Sequence, residues 1–368
     1  MNFNKSILAK TTTAAIFFSF ISQASAVNID AGDFDANIYG YARLTMVYDV
    51  DEDIGADAEN SIFSFIEGSG ATGHFGANAN QSRIGVQIKN NDGVEFKVEG
   101  DFYNGTLRLR HAYGQYKGIL AGQNWSNYTS FVGATSTLDF SGVAGGAGLQ
   151  HREPQLRYTT GKLSMSVENP RSVLNSANGA TLKDSAPAFT ARYESRSSGG
   201  GYSLGVLAKQ NAHDDGITDD SAIAYAGFVS GKLALSDNIS VQGSVNYSNG
   251  ASAYLHQSYA DDAYLDASGS LENISGYAGN IGTTFKLGGG KSINMAVGMT
   301  TVDWDDAVAD GINVDRKSEV NRNILVNYLW TPVKNVMMGV ELANWYTERV
   351  DGTDDDANRV MFAAQYNF

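Results

Sequence analysis

Seven basic residues share a placement that could do chemistry. Arg43, Arg83, Lys97, Arg108, Arg110, Arg157 and Arg192 each stand in a stretch where apolar residues recur at every second position. In such a stretch successive side chains point to opposite faces, so the basic residues take the face opposite the apolar one. Most come from the first half of the chain. Arginines gathered on one inner wall attract anions and hold carboxylates in bidentate geometry. A plainer alternative stays open: Glu95, Glu99, Asp101 and Glu168 occupy the same segments, and basic residues paired with them would only buttress the wall.

Other chemistries find little support. There is no cysteine among the 368 residues, which excludes thiol catalysis, disulfides and thiolate metal sites. Five histidines with no tight His/carboxylate cluster give no catalytic metal site. The stretch "DVDEDIGADAEN" (49–60) alternates Asp49, Asp51 and Asp53, but its glycine, Gly55, comes one residue late and Asn60 stands where a calcium loop needs glutamate. Loose binding of divalent cations by acidic loops is the most it suggests. "GVAGGAG" (142–148) is followed by no lysine, so it is no phosphate loop. A net charge of −14 argues against a nucleic-acid partner.

The elements that position these residues are strands. Forty-one glycines and 19 tyrosines with only 4 prolines suit many strands and turns. Ile38, Gly40, Ala42, Leu44, Met46 and Tyr48 form one alternating set; Val94, Phe96, Val98 and Phe102 form another, against Glu95, Lys97, Glu99 and Asp101. About sixteen such segments run from 37–48 to 358–368, many near the 9–11 residues that cross a bilayer when tilted. Their connections alternate between short turns ("NNDG", "TGK", "LSDN", "TPVKN") and long acidic stretches ("NAHDDGITDD", "SYADDAYLDASGSLEN", "VDGTDDDAN"). Short turns at one rim and long loops at the other is the layout of an outer-membrane barrel. A soluble sandwich would not need that asymmetry. The expected fold is therefore all-β: a transmembrane antiparallel barrel of about sixteen strands, formed by residues 27–368 as one domain. Residues 1–26 read as a cleaved secretory signal, with Lys5 and Lys10, an apolar "AAIFFSFI" and a small-residue "ASA" end.

Three further expectations follow from the pattern. Residues 126–153, rich in small residues, are expected to fold into the barrel and narrow it, with Asp139, His151 and Arg152 as polar contributions. Strict alternation in 107–116 puts His111 on the outer face beside Leu109 and Tyr113, where another protomer would bury it. The last strand, "VMFAAQYNF", turns Val360, Phe362, Ala364, Tyr366 and Phe368 to lipid, and Gln365 and Asn367 to the lumen. It must pair with the first strand, because hydrocarbon allows no open sheet edge.

The chain resembles the Gram-negative trimeric porins, and most closely the DcaP-like porin family. The likeness is carried by "YGYARL" (39–44), "QSRIG" (81–85), "LRLRHAYGQ" (107–115), "AGQNWSNY" (121–128), "TLDFSG" (137–142), "PQLRYT" (154–159) and "SVENP" (166–170). It covers mainly residues 37–170. The resemblance implies a sixteen-stranded trimer in the outer membrane, a constriction loop after the fifth strand, and passive passage of small anions such as dicarboxylates. It also implies no enzyme activity, no cofactor, and contact with outer-membrane lipid and lipopolysaccharide. Phe368 is expected to act as the assembly signal read by the outer-membrane assembly machinery. Some relatives carry a coiled-coil-like extension; "VNIDAGDFDA" (27–36) shows no heptads. Two other functions remain open on the residues alone: a surface-binding or adhesin-like barrel with incidental conductance, and a barrel enzyme acting on lipid.

Overall fold

The computed structural model describes residues 27–30, 32–55, 62–68, 70, 72–175 and 179–368. The expected signal segment, 1–26, and residues 56–60 of the first acidic stretch lie outside the described residues.

Sixteen strands close into one barrel. The first quarter holds β1 (Phe34–Asp49), β2 (in two pieces, His74–Asn78 and Arg83–Asn90), β3 (Glu95–Asp101) and β4 (Arg108–Tyr116). Next come β5 (Ile119–Trp125), β6 (Arg152–Thr160), β7 (Leu163–Glu168) and β8 (Ala188–Ser197). The long strands follow: β9 (Gly200–Asp214), β10 (Asp219–Ala234), β11 (Ile239–Asn249) and β12 (Ser275–Gly288). The last are β13 (Lys291–Asp303), β14 (Ser318–Val333), β15 (Val336–Arg349) and β16 (Asp354–Asn367). Each pairs antiparallel with the next. The ring closes where β1 meets β16, from Tyr41↔Asn367 to Asp49↔Arg359. Gly40 and Phe368 extend that seam with reciprocal backbone bonds of 3.2 and 3.0 Å. A further short strand, Val27–Asp30, folds back on β1 just beyond Phe368, with Val27 opposite Ile38. Among the described residues the main sheet therefore leaves no long unpaired edge, as a hydrocarbon surrounding demands.

Side chains follow the period of two, with an inverted sense of burial. In β14, Ile324 is 49% exposed while Asn323 beside it is fully buried. Val206, Ile223, Val245, Ile281 and Leu342 are likewise exposed, whereas Ser230, Ser244, Asn246, Asn294 and Asn327 are buried. Apolar outside and polar inside is what a lipid-facing barrel requires.

Some elements differ from the sequence-based expectation. The second strand is broken: His74–Asn78 pairs with the upper part of β1 and Arg83–Asn90 with its lower part. Two acidic stretches expected as long loops are instead strand, because β9 and β10 run on to Asp214 and Asp219 and β16 begins at Asp354. Backbone pairing has carried these hairpins past the apolar band into the polar layer, where acidic side chains remain hydrated.

Three long connections turn inward. The β1–β2 connection buries Ile54, Ile62, Phe63 and Ile66 against Leu325, Ala343 and Trp345 of the inner wall. The β5–β6 connection crosses the lumen. The β11–β12 connection packs Tyr254 against Tyr128, ring centres 6.0 Å apart. Together they fill one side of the barrel with apolar groups.

Candidate functional site: a basic channel wall

The β5–β6 connection is held by polar side chains of the far wall. Asn327 donates to the Ser136 carbonyl at 2.8 Å, Asn323 to Gly142 at 2.9 Å, Asn246 to Gly145 at 3.0 Å and Asn280 to Gly145 at 2.9 Å. Asn323 and Asn246 also accept backbone N–H groups from Ala144 and Gly148. An amide side chain carries both a donor and an acceptor, so it can satisfy a connection that has no ladder of its own. Close approach needs bare backbone: a Cβ on Gly298 would lie 2.0 Å from the Ala144 carbonyl oxygen. From the β11–β12 connection, His256 donates from Nε2 to the Ser141 carbonyl at 2.7 Å. Burial pushes this imidazole down to about 4, so it is neutral at pH 7.

With the far wall covered, the space left open runs along β1–β6. It is a cavity of about 1290 Å³, bordered at the short-turn end by Asn37, Lys334 and Asn367 and at the loop end by Arg171, Val173 and Tyr259. Among the described residues, eight Lys and Arg border it against two carboxylates, Glu99 and Asp139. Arg43, Arg83, Lys97, Arg108, Arg110 and Arg152 are among those eight. The chain is acidic overall, yet its channel is basic.

Acids and bases on this wall are paired unequally. Arg108 grips Asp101 with two bonds, 3.0 and 2.8 Å. Arg110 reaches Asp101 at 2.6 Å and Glu99 at 3.0 Å. Arg83 and Lys97 lie 3.3 and 3.5 Å from Glu99, which also accepts the Tyr39 hydroxyl at 2.8 Å. Four cations thus share two carboxylates, so buttressing and surplus charge coexist. Each also has a ring beside it: Tyr41 under Arg83 at 5.1 Å, Tyr39 near Lys97 at 5.1 Å, Tyr103 near Arg108 at 4.2 Å, Phe140 near Arg110 at 5.9 Å.

A bulge corrects one expectation. Glu99 pairs with His111 but Gly100 pairs with Leu109, leaving Arg110 as an extra residue in β4. Two consecutive side chains therefore point inward, and the alternation beyond is reversed. His111 does not face a neighbouring protomer. It is 1% exposed, lies 3.8 Å from Glu99 and meets the Trp125 ring at 6.1 Å.

Arg157 and Arg192 point inward but do not border the open channel. Arg192 donates to the Thr129 carbonyl at the root of the β5–β6 connection. Glu168 is taken by the same root, accepting Ser126 and Asn127 at 2.6 Å each. Asp139 sits at the tip; its carboxylate accepts the Ser141 and Gly142 N–H groups at 2.9 and 3.0 Å. His151 is exposed and contacts Glu153 at 3.0 Å. Among the described residues, no three His, Asp or Glu side chains are grouped to hold a metal ion.

A family model described as DcaP outer membrane protein matches residues 18–368. The chain belongs to the DcaP outer membrane protein family. Its structure is similar to the outer membrane channel DcaP of Acinetobacter baumannii, with a TM-score of 0.79 and 28% identity over 92% of this chain and 99% of that one. An anion-selective porin from Comamonas acidovorans shares the fold at TM-score 0.58 and 10% identity, covering 91% and 100%. The trimer form of OmpT from Vibrio cholerae does so at 0.55 and 12%, covering 92% and 100%. No curated protein sequence matches. The protein is thus an outer-membrane porin-type channel of the DcaP family. Of the seven basic residues expected on the inner face, Arg43, Arg83, Lys97, Arg108 and Arg110 border the channel; what sequence patterning did not find lies on the far wall. It missed Asn246, Asn280, Asn323 and Asn327, which seat the narrowing connection; their signal was the recurrence of asparagine on the inward parity of these strands.

Proposed function

We propose that this channel carries small hydrophilic anions, dicarboxylate-like solutes above all, by passive diffusion along the basic wall. The observation that supports this most is the cation excess of the channel lining, eight Lys and Arg against Glu99 and Asp139. In a narrow, low-dielectric passage such an excess raises local anion concentration and repels cations. Asp49 and Asp101 are themselves bound by Arg359 and by Arg108 and Arg110. Reconstitution in planar bilayers under a potassium chloride gradient tests the reading. A reversal potential of anionic sign is expected; a cationic one would sink it.

The working unit is a homotrimer in this reading, and the short strands mark the shared wall. β3, β5 and β7 have 7, 7 and 6 residues, against 16 for β10 and β14. A seven-residue strand tilted near 45° rises only roughly 17 Å, short of an apolar band about 25 Å tall. Another protomer, rather than lipid, suits this wall. The remaining partners are outer-membrane lipid and lipopolysaccharide around the long strands and the assembly machinery that inserts the barrel.

A further inference from the structure

Arg152 is held differently from its neighbours. Arg108 and Arg110 are committed to Asp101 and Glu99, and Arg43 donates to the Leu138 carbonyl at 2.6 Å. Arg152 borders the same channel, yet has no carboxylate within ion-pair distance among the described residues. Its partner is a ring. The guanidinium carbon lies 3.8 Å from the centre of Trp125, the residue directly across the ladder from it. Its Nε is buried without a hydrogen-bond partner.

Trp125 is itself fixed. Phe131 meets it edge-on, with ring centres 4.9 Å apart and planes at 72°. His111, brought inward by the bulge, meets it from elsewhere at 6.1 Å and 64°. Trp125 and Phe131 also border the channel. The shelf therefore has a cation with open donors on a rigid aromatic base, and apolar surface alongside.

We propose that Arg152 binds the carboxylate of a passing organic anion and that Trp125 is the positioning residue that presents it. The inference rests on the anion-channel reading above and deepens it. A guanidinium stacked on an aromatic face keeps its N–H donors in plane, free for a bidentate carboxylate. The ring shields one face from water and limits rotation, which strengthens the attraction and lowers the entropy lost on binding. A carboxylate arriving at Arg108 or Arg110 must displace Asp101 or Glu99; at Arg152 it displaces no protein acid. The flanks of Trp125 and Phe131 receive the carbon skeleton. The favoured solute is a small organic carboxylate rather than chloride or inorganic phosphate.

Single-channel recording with succinate as the probe tests this. Succinate should interrupt the wild-type chloride current. Arg152→Lys keeps the charge but loses the plane, and Trp125→Leu keeps the arginine but loses the ring. Each should raise the half-blocking concentration about tenfold, a larger change than any in chloride-over-potassium preference. Trp125→Phe, which retains a ring, should stay within about threefold of wild type. Wild-type block in Arg152→Lys or Trp125→Leu would overturn the assignment, as would a Trp125→Phe variant as impaired as Trp125→Leu. A wild-type channel that prefers chloride but is not blocked by succinate would overturn it too, leaving the anion-channel reading intact. A cation-preferring wild type would instead remove that reading and the inference with it.

Discussion

Glu341 and Asp139 meet through the backbone: the Glu341 carboxylate accepts the Asp139 N–H at 2.8 Å. It accepts the Leu138 N–H at the same distance and the Asn327 amide at 2.8 Å. From two strands along the same wall, Arg43 grips the Leu138 carbonyl. The tip of the narrowing connection thus hangs between β1 and β15, with one buried carboxylate as its main anchor.

Glu341→Ala should free that tip. Bonds from backbone N–H to a charged acceptor contribute about 1.5–3 kcal/mol each, and two are lost with the side chain. Single-channel recordings should show higher open-state noise and a larger mean conductance, while the barrel still forms because its ladders are untouched. Unchanged noise and conductance would place the anchoring elsewhere.

The tip should also respond to pH. Burial and the nearby Glu341 carboxylate push the Asp139 carboxyl up to about 7. In an undocked loop the same group would lose its proton near about 4. Seating is therefore strongest at acid pH, weakens as pH rises from about 4 to about 7, and is flat above. Open-channel noise should be lower at pH 5 than at pH 8. Asp139→Asn, which cannot ionise but can still accept from Ser141 and Gly142, should flatten that difference; an undiminished difference would assign the titration to another group.

Removing Arg108 and Arg110 together should do more than dilute positive charge. Their partners Glu99 and Asp101 would be left on the wall, Glu99 beside Arg83 and Lys97 and Asp101 without its two arginines. The double Ala variant should lose most of its chloride preference, read as a reversal potential moving toward zero. Adding Glu99→Gln and Asp101→Asn to the same variant should restore part of it. A double variant with wild-type selectivity would show that these arginines are only braces.

The sequence made the barrel legible because its period of two persists through nearly every strand, and a lipid-facing set such as Val206 or Ile324 leaves no doubt about which face is outside. The basic wall was legible for the same reason. What parity could not show was a change of parity. The bulge at Arg110 follows from the pairing of β3 with β4, a long-range fact with no mark in "RLRHAY". The inward course of the β1–β2 and β11–β12 connections was also hidden. Their acidic residues pointed to solvent, while Ile62, Phe63 and Tyr254, the residues that dock, were outnumbered by them. Expected pore residues Arg157 and Arg192 shared the parity of the wall but lie behind the connection, since parity sets direction and not depth.

Phe368 offers a test that separates assembly from conduction. Its backbone exchanges two hydrogen bonds with Gly40 at the seam, and its ring lies so close that a Cβ on Gly40 would sit 2.8 Å from Phe368 Cζ. The side chain is exposed on the outer face, whereas Gln365 and Asn367 of the same strand are among the residues that line the channel at this end. Deleting Phe368 removes both bonds and the aromatic ring at the seam, so less protein should reach the outer membrane, measured by surface labelling. Channels that do insert should conduct and select as wild type does, because no lining residue has changed. Normal surface levels for the deletion would show that the seam bonds and this ring do not govern insertion.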